Sequence, residues 1–163
     1  MKSLVTGANG FVGSAVARCL LEAGHEVRCL VRAGSDQSNL KGLPVEISEG
    51  DLRDVASLKR AVTNCENLFH VAADYRLWVP DPETMYEINV KGTQELILAA
   101  SGADVSRIIY TSSVATLGIN VDGNPADENT PSSLNNMTGH YKRSKFLAEQ
   151  VVQHLTDKHQ LPL

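Results

Sequence analysis

Two residues near the end of the chain carry the clearest chemical pattern. Tyr141 and Lys145 stand four positions apart, a spacing that puts them on one face of a helix, about one turn from each other. A tyrosine with its ordinary pKa of about 10 is a poor base at neutral pH, but a fixed ammonium group nearby stabilises the phenolate. The pair therefore predicts proton transfer by Tyr141, although an isolated Tyr-x-x-x-Lys also occurs on ordinary exposed helices.

A run of hydroxyl residues closes an apolar stretch earlier in the chain. Residues 107–113, Arg-Ile-Ile-Tyr-Thr-Ser-Ser, have the pattern of a strand that ends on Thr111, Ser112 and Ser113. Ligands bind at the carboxyl ends of parallel strands, so Ser113 is predicted to hold the carbonyl or hydroxyl oxygen of a substrate. With Tyr141 exchanging the proton, the remaining step is hydride transfer to or from a nicotinamide.

Three glycines at the start of the chain predict where a cofactor would bind. Leu4 and Val5 belong to a short apolar strand, which Gly7, Gly10 and Gly13 follow. Gly7 can take the sharp turn, Gly10 allows a ligand to approach closely, and Gly13 allows the next helix to pack tightly on the sheet. The N-terminus of that helix can bind a pyrophosphate, so the bend predicts a dinucleotide as ligand. The alternative is that the glycines only allow the chain to turn and bind no ligand.

Strands and helices alternate along the rest of the chain. After the first strand, strands are expected at 26–31, 44–52, 67–73 and 107–113, and helices at 10–23, 55–62, 84–100 and 139–159. Turn-rich loops are expected at 34–42, with a short helix, and at 74–83 and 122–135. This alternation predicts an α/β fold of the Rossmann type, a doubly wound parallel sheet with helices on both faces.

The residues that end the second and third strands bear on the choice of cofactor. In a βαβ unit an acid at the end of the second strand accepts the ribose 2′-OH of NAD, but Val31 stands here and Arg32 follows. An arginine can bind a 2′-phosphate through two hydrogen bonds, so Arg32 favours NADP(H). The alternative is that Arg32 is only a solvent-exposed charge at the end of the strand and that the cofactor is NAD. Asp51 is expected to accept from the adenine amino group or to cap the helix at 55–62.

Two polar residues are expected inside the fold. His70 is interpreted as a hydrogen-bonded core histidine rather than a metal ligand, because no partner stands at helical spacing from it, and no metal site is predicted. Asn89 lies on or next to the inward face of the helix at 84–100, where its amide needs partners. The small residues Ala72 and Ala73 leave room at the end of the fourth strand for phosphates and ribose.

The composition is that of a single globular domain. Of 163 residues, 42% are apolar and 21% charged, and the net charge of −4 argues against nucleic acid as a partner. Cys19, Cys29 and Cys65 are widely spaced and are expected to be buried thiols in a reducing compartment. With no leading apolar segment and no run of about 18 apolar residues, we expect a soluble cytoplasmic protein without a membrane span.

Together these motifs resemble the extended short-chain dehydrogenase/reductase family of nucleotide-sugar epimerases, dehydratases and dihydroflavonol reductases. Residues 73–78 and 139–145 are similar to its branch of hopanoid-associated sugar epimerases and dihydroflavonol-reductase-like proteins. The segments that match the family are Thr-Gly-Ala-Asn-Gly-Phe-Val-Gly at 6–13, Gly-Asp-Leu at 50–52, His-Val-Ala-Ala at 70–73, Asn-Val-Lys-Gly-Thr at 89–93, Tyr-Thr-Ser-Ser at 110–113 and Tyr-Lys-Arg-Ser-Lys at 141–145.

The resemblance implies an NAD(P)-dependent oxidoreductase or epimerase with Ser113, Tyr141 and Lys145 as its catalytic residues. It also implies a sugar nucleotide or a dihydroflavonol-like ketone as substrate, and a homodimer formed through the helices at 84–100 and 139–159. The residues it assigns to the cofactor are Gly7, Asn9, Gly10, Phe11, Val12, Gly13, Arg32, Asp51, Leu52, Ala72, Ala73, Asn89, Tyr141 and Lys145.

The family's chain continues through a sixth strand into a substrate-binding lobe. This sequence stops at residues 161–163, Leu-Pro-Leu, where that strand would begin. Residues 1–163 are therefore expected to form a dinucleotide-binding domain that lacks the C-terminal substrate lobe. A non-catalytic dinucleotide-binding module, or a truncated fragment that binds cofactor, is the alternative to an enzyme.

Overall fold

The computed structural model describes residues 1–120, 122–159 and 161. Within these residues five parallel strands form one sheet in the order β3-β2-β1-β4-β5. The strands are β1 (Lys2–Thr6), β2 (Glu26–Val31), β3 (Glu46–Glu49), β4 (Asn67–His70) and β5 (Arg107–Tyr110). The order reverses between β1 and β4, which makes their carboxyl ends the switch point where Rossmann-type sheets bind ligands.

Helices cover both faces of this sheet. They are α1 (Phe11–Glu22), α2 (Val55–Val62), α3 (Glu83–Tyr86), a π-helical segment (Glu87–Gly92), α4 (Thr93–Gly102) and α5 (Gly139–His159). Residues of α1 pack with Val5 and Cys29 on one face, and residues of α2, α4 and α5 pack with Leu4 and Leu68 on the other. The predicted doubly wound Rossmann-type fold is confirmed. In the described part of the chain, no helix is long and apolar enough to cross a bilayer.

Three strands are shorter than the sequence pattern predicts. The expected ends were residues 52, 73 and 113, whereas the strands end at Glu49, His70 and Tyr110. After β4 the backbone leaves the ladder, because the amides of Val71 and Ala72 donate to the Thr6 hydroxyl at 3.2 and 3.1 Å. At the end of β4 a side-chain acceptor, the Thr6 hydroxyl, thus replaces strand pairing. The expected sixth strand falls at residues 161–163, mostly outside the described residues.

The predicted helix at 84–100 extends over 83–102 and is not uniformly α-helical. Its middle, Glu87–Gly92, is a π-helical segment in which one turn holds an extra residue. Gly92 permits close packing here, since a Cβ on it would lie 2.8 Å from the Cβ of Leu52. The expected short helix in the loop at 34–42 is present as one 3₁₀ turn at Ser38–Leu40.

The inward face of α1 does not include Cys19, which was expected to be buried. The buried residues of this helix are Gly13, Ser14, Ala17 and Leu20. Small residues face the sheet at the start of α1 because the helix begins almost in backbone contact with the turn before it, whereas Leu20 is buried further along. Cys19 is exposed, whereas Cys29 and Cys65 are buried as expected. Burial raises the pKa of the Cys29 thiol to about 11.

Candidate functional site

The glycine bend between β1 and α1 is built from backbone in contact with backbone. Gly7 has a φ of 65°, and a Cβ on it would lie 2.8 Å from the Cα of Ala72. A Cβ on Gly13 would lie 2.1 Å from the carbonyl oxygen of Gly7, and one on Gly10 would lie 3.2 Å from the same oxygen. Neither Gly7 nor Gly13 leaves space for a side chain, so both are sterically required.

The N-terminus of α1 opens at this bend. Gly10 is its N-cap residue, and no side chain among the described residues caps it. The first turn therefore keeps free N–H groups and the positive end of the helix dipole, which together favour an anion such as a pyrophosphate. Phe11 and Val12 are exposed beside it, Phe11 by 91%. The bend thus fits the diphosphate of a dinucleotide.

Asn9 connects the bend to the loop that follows β2. Its side-chain amide donates to the carbonyl of Asp36 at 2.8 Å, and its own carbonyl accepts from the Asn39 side chain at 2.9 Å. Arg32 is exposed at the start of that loop. Asn9 therefore fixes the loop that begins at Arg32 against the glycine bend.

Asp51 does not cap α2, so that alternative is wrong. The cap is Asp54, whose carboxylate accepts from the amide of Ala56 at 3.0 Å. Asp51 instead binds Arg53 through the backbone amide and two guanidinium nitrogens, each at 2.9 Å. These bonds, opposed by burial and aided weakly by Arg32, lower the pKa of Asp51 to about 2. Leu52, the next residue, is buried in the core.

His70 is a satisfied core histidine, as predicted. It is 1% exposed, and its ring lies 2.7 Å from the hydroxyl of Thr6 and 2.9 Å from that of Thr93. Because the Thr6 oxygen already accepts from two backbone amides, its hydrogen points to Nδ1 of His70. Nε2–H then donates to Thr93, whose own hydrogen goes to the carbonyl of Asn89 at 2.7 Å.

This directed chain of bonds favours a neutral imidazole at residue 70. Protonation of Nδ1 would set a second donor against the Thr6 hydroxyl, which has no lone pair left for it. Burial, with a smaller contribution from the positive charge of Lys145, lowers the pKa of His70 to about 3. His70 therefore joins β1 to the helix at 83–102 without carrying charge at neutral pH.

Asn89 joins the loop after β4 to α5. Its amide oxygen accepts from the backbone N–H of Asp74 at 2.7 Å, and its amide nitrogen donates to the Asp74 carbonyl at 2.8 Å and to the Ser144 hydroxyl at 2.9 Å. Ser144 donates in turn to the carbonyl of Tyr141. The predicted inward position of Asn89 is correct, and its amide fixes the first turn of α5.

Lys145 is buried against the end of β5. Its side chain is 4% exposed, and Nζ donates to the hydroxyl of Tyr110 and to the carbonyl of Thr111, both at 2.8 Å. The ammonium also lies 4.4 Å from the centre of the Tyr110 ring. Burial lowers the pKa of Lys145 to about 8, against the opposing charge of Glu149. Burial is also the main reason why the pKa of Tyr110 is raised.

Ser113 follows two residues after the carbonyl that Lys145 contacts. Its backbone is extended, and its hydroxyl oxygen accepts from the amide of Ala115 at 3.2 Å, which caps the 3₁₀ turn Val114–Thr116. Tyr141 is half-buried on α5, one turn before Lys145. Ser113 and Lys145 are thus linked through the end of β5, with Tyr141 on the same helix face as Lys145.

The bend and the α5 residues lie at the same edge of the sheet. The bend follows β1, Ala72 and Ala73 follow β4, and Ser113 follows β5, with all three strands parallel. Neighbouring strands are about 4.8 Å apart, so the ends of β1 and β5 are separated by roughly 10 Å. Among the described residues, no group of His, Cys, Asp and Glu is arranged to hold a metal ion.

Sequence reasoning gave no role to several residues that shape this site, although all but Glu149 lie in the segments that match the family. They contact the site from distant parts of the chain: Thr6, Thr93, Tyr110, Ser144 and Glu149. The abrupt change from apolar to polar residues within 107–113 was a usable signal for Tyr110. The other contacts depend on packing between helices and strands, which one sequence does not reveal.

Comparison with known proteins agrees with this geometry. The family described as the NAD dependent epimerase/dehydratase family matches residues 3–163. The chain belongs to this family. The epimerase/dehydratase relatives include proteins named as reductases, epimerases and a dehydratase.

Individual relatives show how much of the family's length is covered. The chain is 47% identical over 146 residues to a protein provisionally named dihydroflavonol 4-reductase from Synechocystis sp., covering 90% of this chain and 42% of that protein. The crystal structure of gox2253 has a TM-score of 0.93 and 57% identity, covering 98% of this chain and 48% of that one. The NAD complex of UDP-glucose 4-epimerase from Thermus thermophilus has a TM-score of 0.84 and 26% identity, covering 99% and 52%. The chain therefore spans about half the length of these epimerase/dehydratase relatives.

Proposed function

We propose that this chain binds a nicotinamide dinucleotide at the glycine bend and that Ser113, Tyr141 and Lys145 manage the proton in hydride transfer at a hydroxyl or carbonyl carbon. The observation that carries the proposal is the fixed Lys145 ammonium, held by Tyr110 and Thr111 one turn from Tyr141. It lies at the same sheet edge as the bend. A buried ammonium group one helical turn from a half-buried tyrosine supports acid–base chemistry at this edge.

The residues around the bend fit the proposed cofactor. Gly7 and Gly13 provide a cradle that a side chain would fill, and the open N-terminus of α1 provides N–H donors for the diphosphate. When bound, the nicotinamide supplies or accepts the hydride. Ala72 and Ala73 are assigned to the space beside the diphosphate, and Asn89 to support of the first turn of α5.

The protein's own residues then handle the proton. At neutral pH Lys145, whose pKa is about 8, keeps most of its positive charge, one helical turn from Tyr141. Tyr141 gives the proton to a carbonyl oxygen or takes it from a hydroxyl. Ser113 donates a hydrogen bond to the same oxygen and holds it in place.

Tyr141→Phe tests this chemistry. We expect hydride transfer from NADPH to a panel of ketones to fall at least ~100-fold, while the dissociation constant for NADPH, measured by calorimetry, stays within about threefold. Tyr86→Phe, which removes another phenol hydroxyl beside α5, is the matched control.

Unchanged turnover in Tyr141→Phe would show that the mechanism is wrong. Binding of NADPH by a parent chain that transfers no hydride would favour the alternative, a dinucleotide-binding module without catalysis.

The proposed preference is for NADP(H), with NAD as the alternative. It is supported by Val31 at the end of β2 and the exposed Arg32 after it. Solved relatives are described as complexes with NAD, which makes direct measurement necessary. We expect Arg32→Ala to weaken NADPH binding about tenfold, a loss of about 1.4 kcal/mol, and to leave NADH binding unchanged. Equal effects on both cofactors would remove the preference.

The substrate and the assembly are also proposals. Relatives named as reductases and as sugar-nucleotide epimerases support a dihydroflavonol-like ketone or a sugar nucleotide as substrate. A homodimer through the helices at 84–100 and 139–159 is supported by the half-exposed Ile88, Val90 and Leu98, and light scattering against concentration tests it. The expected cytoplasmic location stays a prediction.

A further inference from the structure

Glu149 lies on α5 one turn after Lys145 and reaches the segment that follows β5. Its Oε2 atom accepts a hydrogen bond from the hydroxyl of Ser112. The hydroxyl of Thr116 lies 3.0 Å from the same oxygen. One half-buried carboxylate therefore contacts the residue before Ser113 and a residue three positions after it.

The Thr116 hydroxyl also lies within hydrogen-bond reach of Ser113 itself. It is 2.7 Å from the Ser113 carbonyl oxygen, and the Thr116 amide donates to that oxygen at 3.0 Å. Since the hydroxyl has one hydrogen, that hydrogen is shared between the carbonyl and the Glu149 carboxylate. The carboxylate thus stabilises the turn that begins at Ser113 and joins it to α5, the helix that carries Tyr141.

Glu149 also faces the charge of Lys145. The titratable groups around Lys145 are Glu149 from α5, His70 from β4, whose pKa the ammonium lowers, and Tyr110 from β5, which accepts its hydrogen bond, with Tyr141 one turn earlier on α5. Among these, the Glu149 carboxylate opposes the effect of burial and raises the pKa of Lys145. Two separate observations, the hydrogen bonds and the charge, therefore connect this carboxylate to the proposed catalytic group.

We propose that Glu149 is a positioning residue that holds the Ser113 segment against α5 and supplies the negative charge opposite the Lys145 ammonium. It does not touch the reacting atoms. A role for Glu149 in catalysis rests on the proposed function. Its effects on the charge state of Lys145 and on the stability of the Ser113 segment can be measured in the chain without substrate.

The charge effect is measured by the titration of Lys145. Trace acetylation with acetic anhydride over a range of pH, followed by mass spectrometry of the Lys145 peptide, gives the midpoint at which the amine loses its proton. In Glu149→Gln, which keeps an oxygen acceptor but no charge, we expect the midpoint to move about 0.5 pH unit or more toward lower pH. Asp157→Asn, which removes an exposed carboxylate from the same helix, leaves the midpoint unchanged. An unchanged midpoint in Glu149→Gln overturns the charge effect.

The positioning effect is measured by hydrogen exchange at the amides of Ala115 and Thr116. Glu149→Ala removes both acceptor oxygens, and we expect exchange at least ~10-fold faster at these two amides, with the amides of β5 unchanged. Glu149→Gln stays within about threefold of the parent because its amide oxygen still accepts. Thr116→Val removes the shared hydroxyl without changing α5, and we expect the same faster exchange. This variant provides the measurement if Glu149→Ala does not fold. Parent-like exchange in Thr116→Val and in any folded Glu149→Ala overturns the positioning role.

A calorimetric titration of the parent chain with NADPH separates the two proposals. If neither NADPH nor NADH binds while the Lys145 midpoint and the exchange rates change as expected, the proposed function fails and the role of Glu149 in holding the segment stands.

Discussion

The glycine bend and the α5 site lie at one edge of the sheet but are held together in different ways. At the bend, the backbone geometry depends on the absence of side chains, because a Cβ on Gly13 would lie 2.1 Å from a backbone oxygen. At the other region, side chains with complementary donors and acceptors, above all Asn89 and Lys145, determine the geometry. The bend therefore cannot accept one additional carbon atom. The polar site accepts a substitution that keeps the donors and acceptors, and is damaged when one is removed.

The largest expected effect comes from adding a methyl group at the bend. Gly13→Ala sets a Cβ against the carbonyl of Gly7, so α1 must move away from β1. We expect a loss of about 3 kcal/mol or more in the free energy of unfolding, measured by urea denaturation, and no NADPH binding by calorimetry.

Gly102→Ala is the matched control for the bend. Gly102 is the last residue of α4 and has no atom within 4 Å of an added Cβ, so the change should be neutral or slightly stabilising. Losses of similar size in the two variants would show that the bend is no more demanding than an ordinary helix end.

A smaller loss is expected from removal of one amide at the polar site. Asn89→Ala deletes three hydrogen bonds and leaves the Ser144 hydroxyl and the Asp74 backbone without that partner. We expect the free energy of unfolding to fall by about 2 to 3 kcal/mol in urea denaturation. Asn124→Ala, at an exposed turn, should cost less than about 0.5 kcal/mol. Equal costs would mean that the Asn89 bonds contribute no more than surface contacts.

The effect that is smallest near neutral pH is a dependence of stability on pH that comes from His70, the residue between the two regions. Its pKa is about 3 in the fold and about 6.5 in the unfolded chain, so between these values the unfolded chain binds the extra proton. The stability that the neutral His70 contributes is present above about pH 6.5 and is lost as pH falls toward 3. Within that window the slope is about 1.4 kcal/mol per pH unit at most.

His70→Gln isolates this contribution from that of the carboxylates. Urea denaturation between pH 4 and pH 7 should show a shallower acid-induced loss in this variant than in the parent. His154→Gln, which removes an exposed imidazole from α5, should follow the parent curve. Parallel curves for His70→Gln and the parent would mean that residue 70 is protonated in the fold at the same pH as in the unfolded chain.

The same contrast explains how much of the molecule could be read from its sequence. The bend was predictable because glycine spacing reports a steric requirement directly, and the inward position of Asn89 followed from helical periodicity. The exposed Cys19 was mispredicted, since its burial was inferred from the wide spacing of the cysteines, which does not show the side of α1 on which a residue lies. The contacts of Lys145 with Tyr110 and of Glu149 with Ser112 join residues 35 and 37 positions apart, and no local pattern encodes them.

The widened turn at Glu87–Gly92 gives the chain a length constraint that its loops lack. Deletion of one residue there would convert the segment to an ordinary α-helix and rotate α4 by about 100° relative to α3. Asn89 and Thr93 would then no longer face Ser144 and His70 together. Natural variation in length is therefore expected to accumulate in loops such as 34–42, while this segment keeps its residue count even where its residue types change.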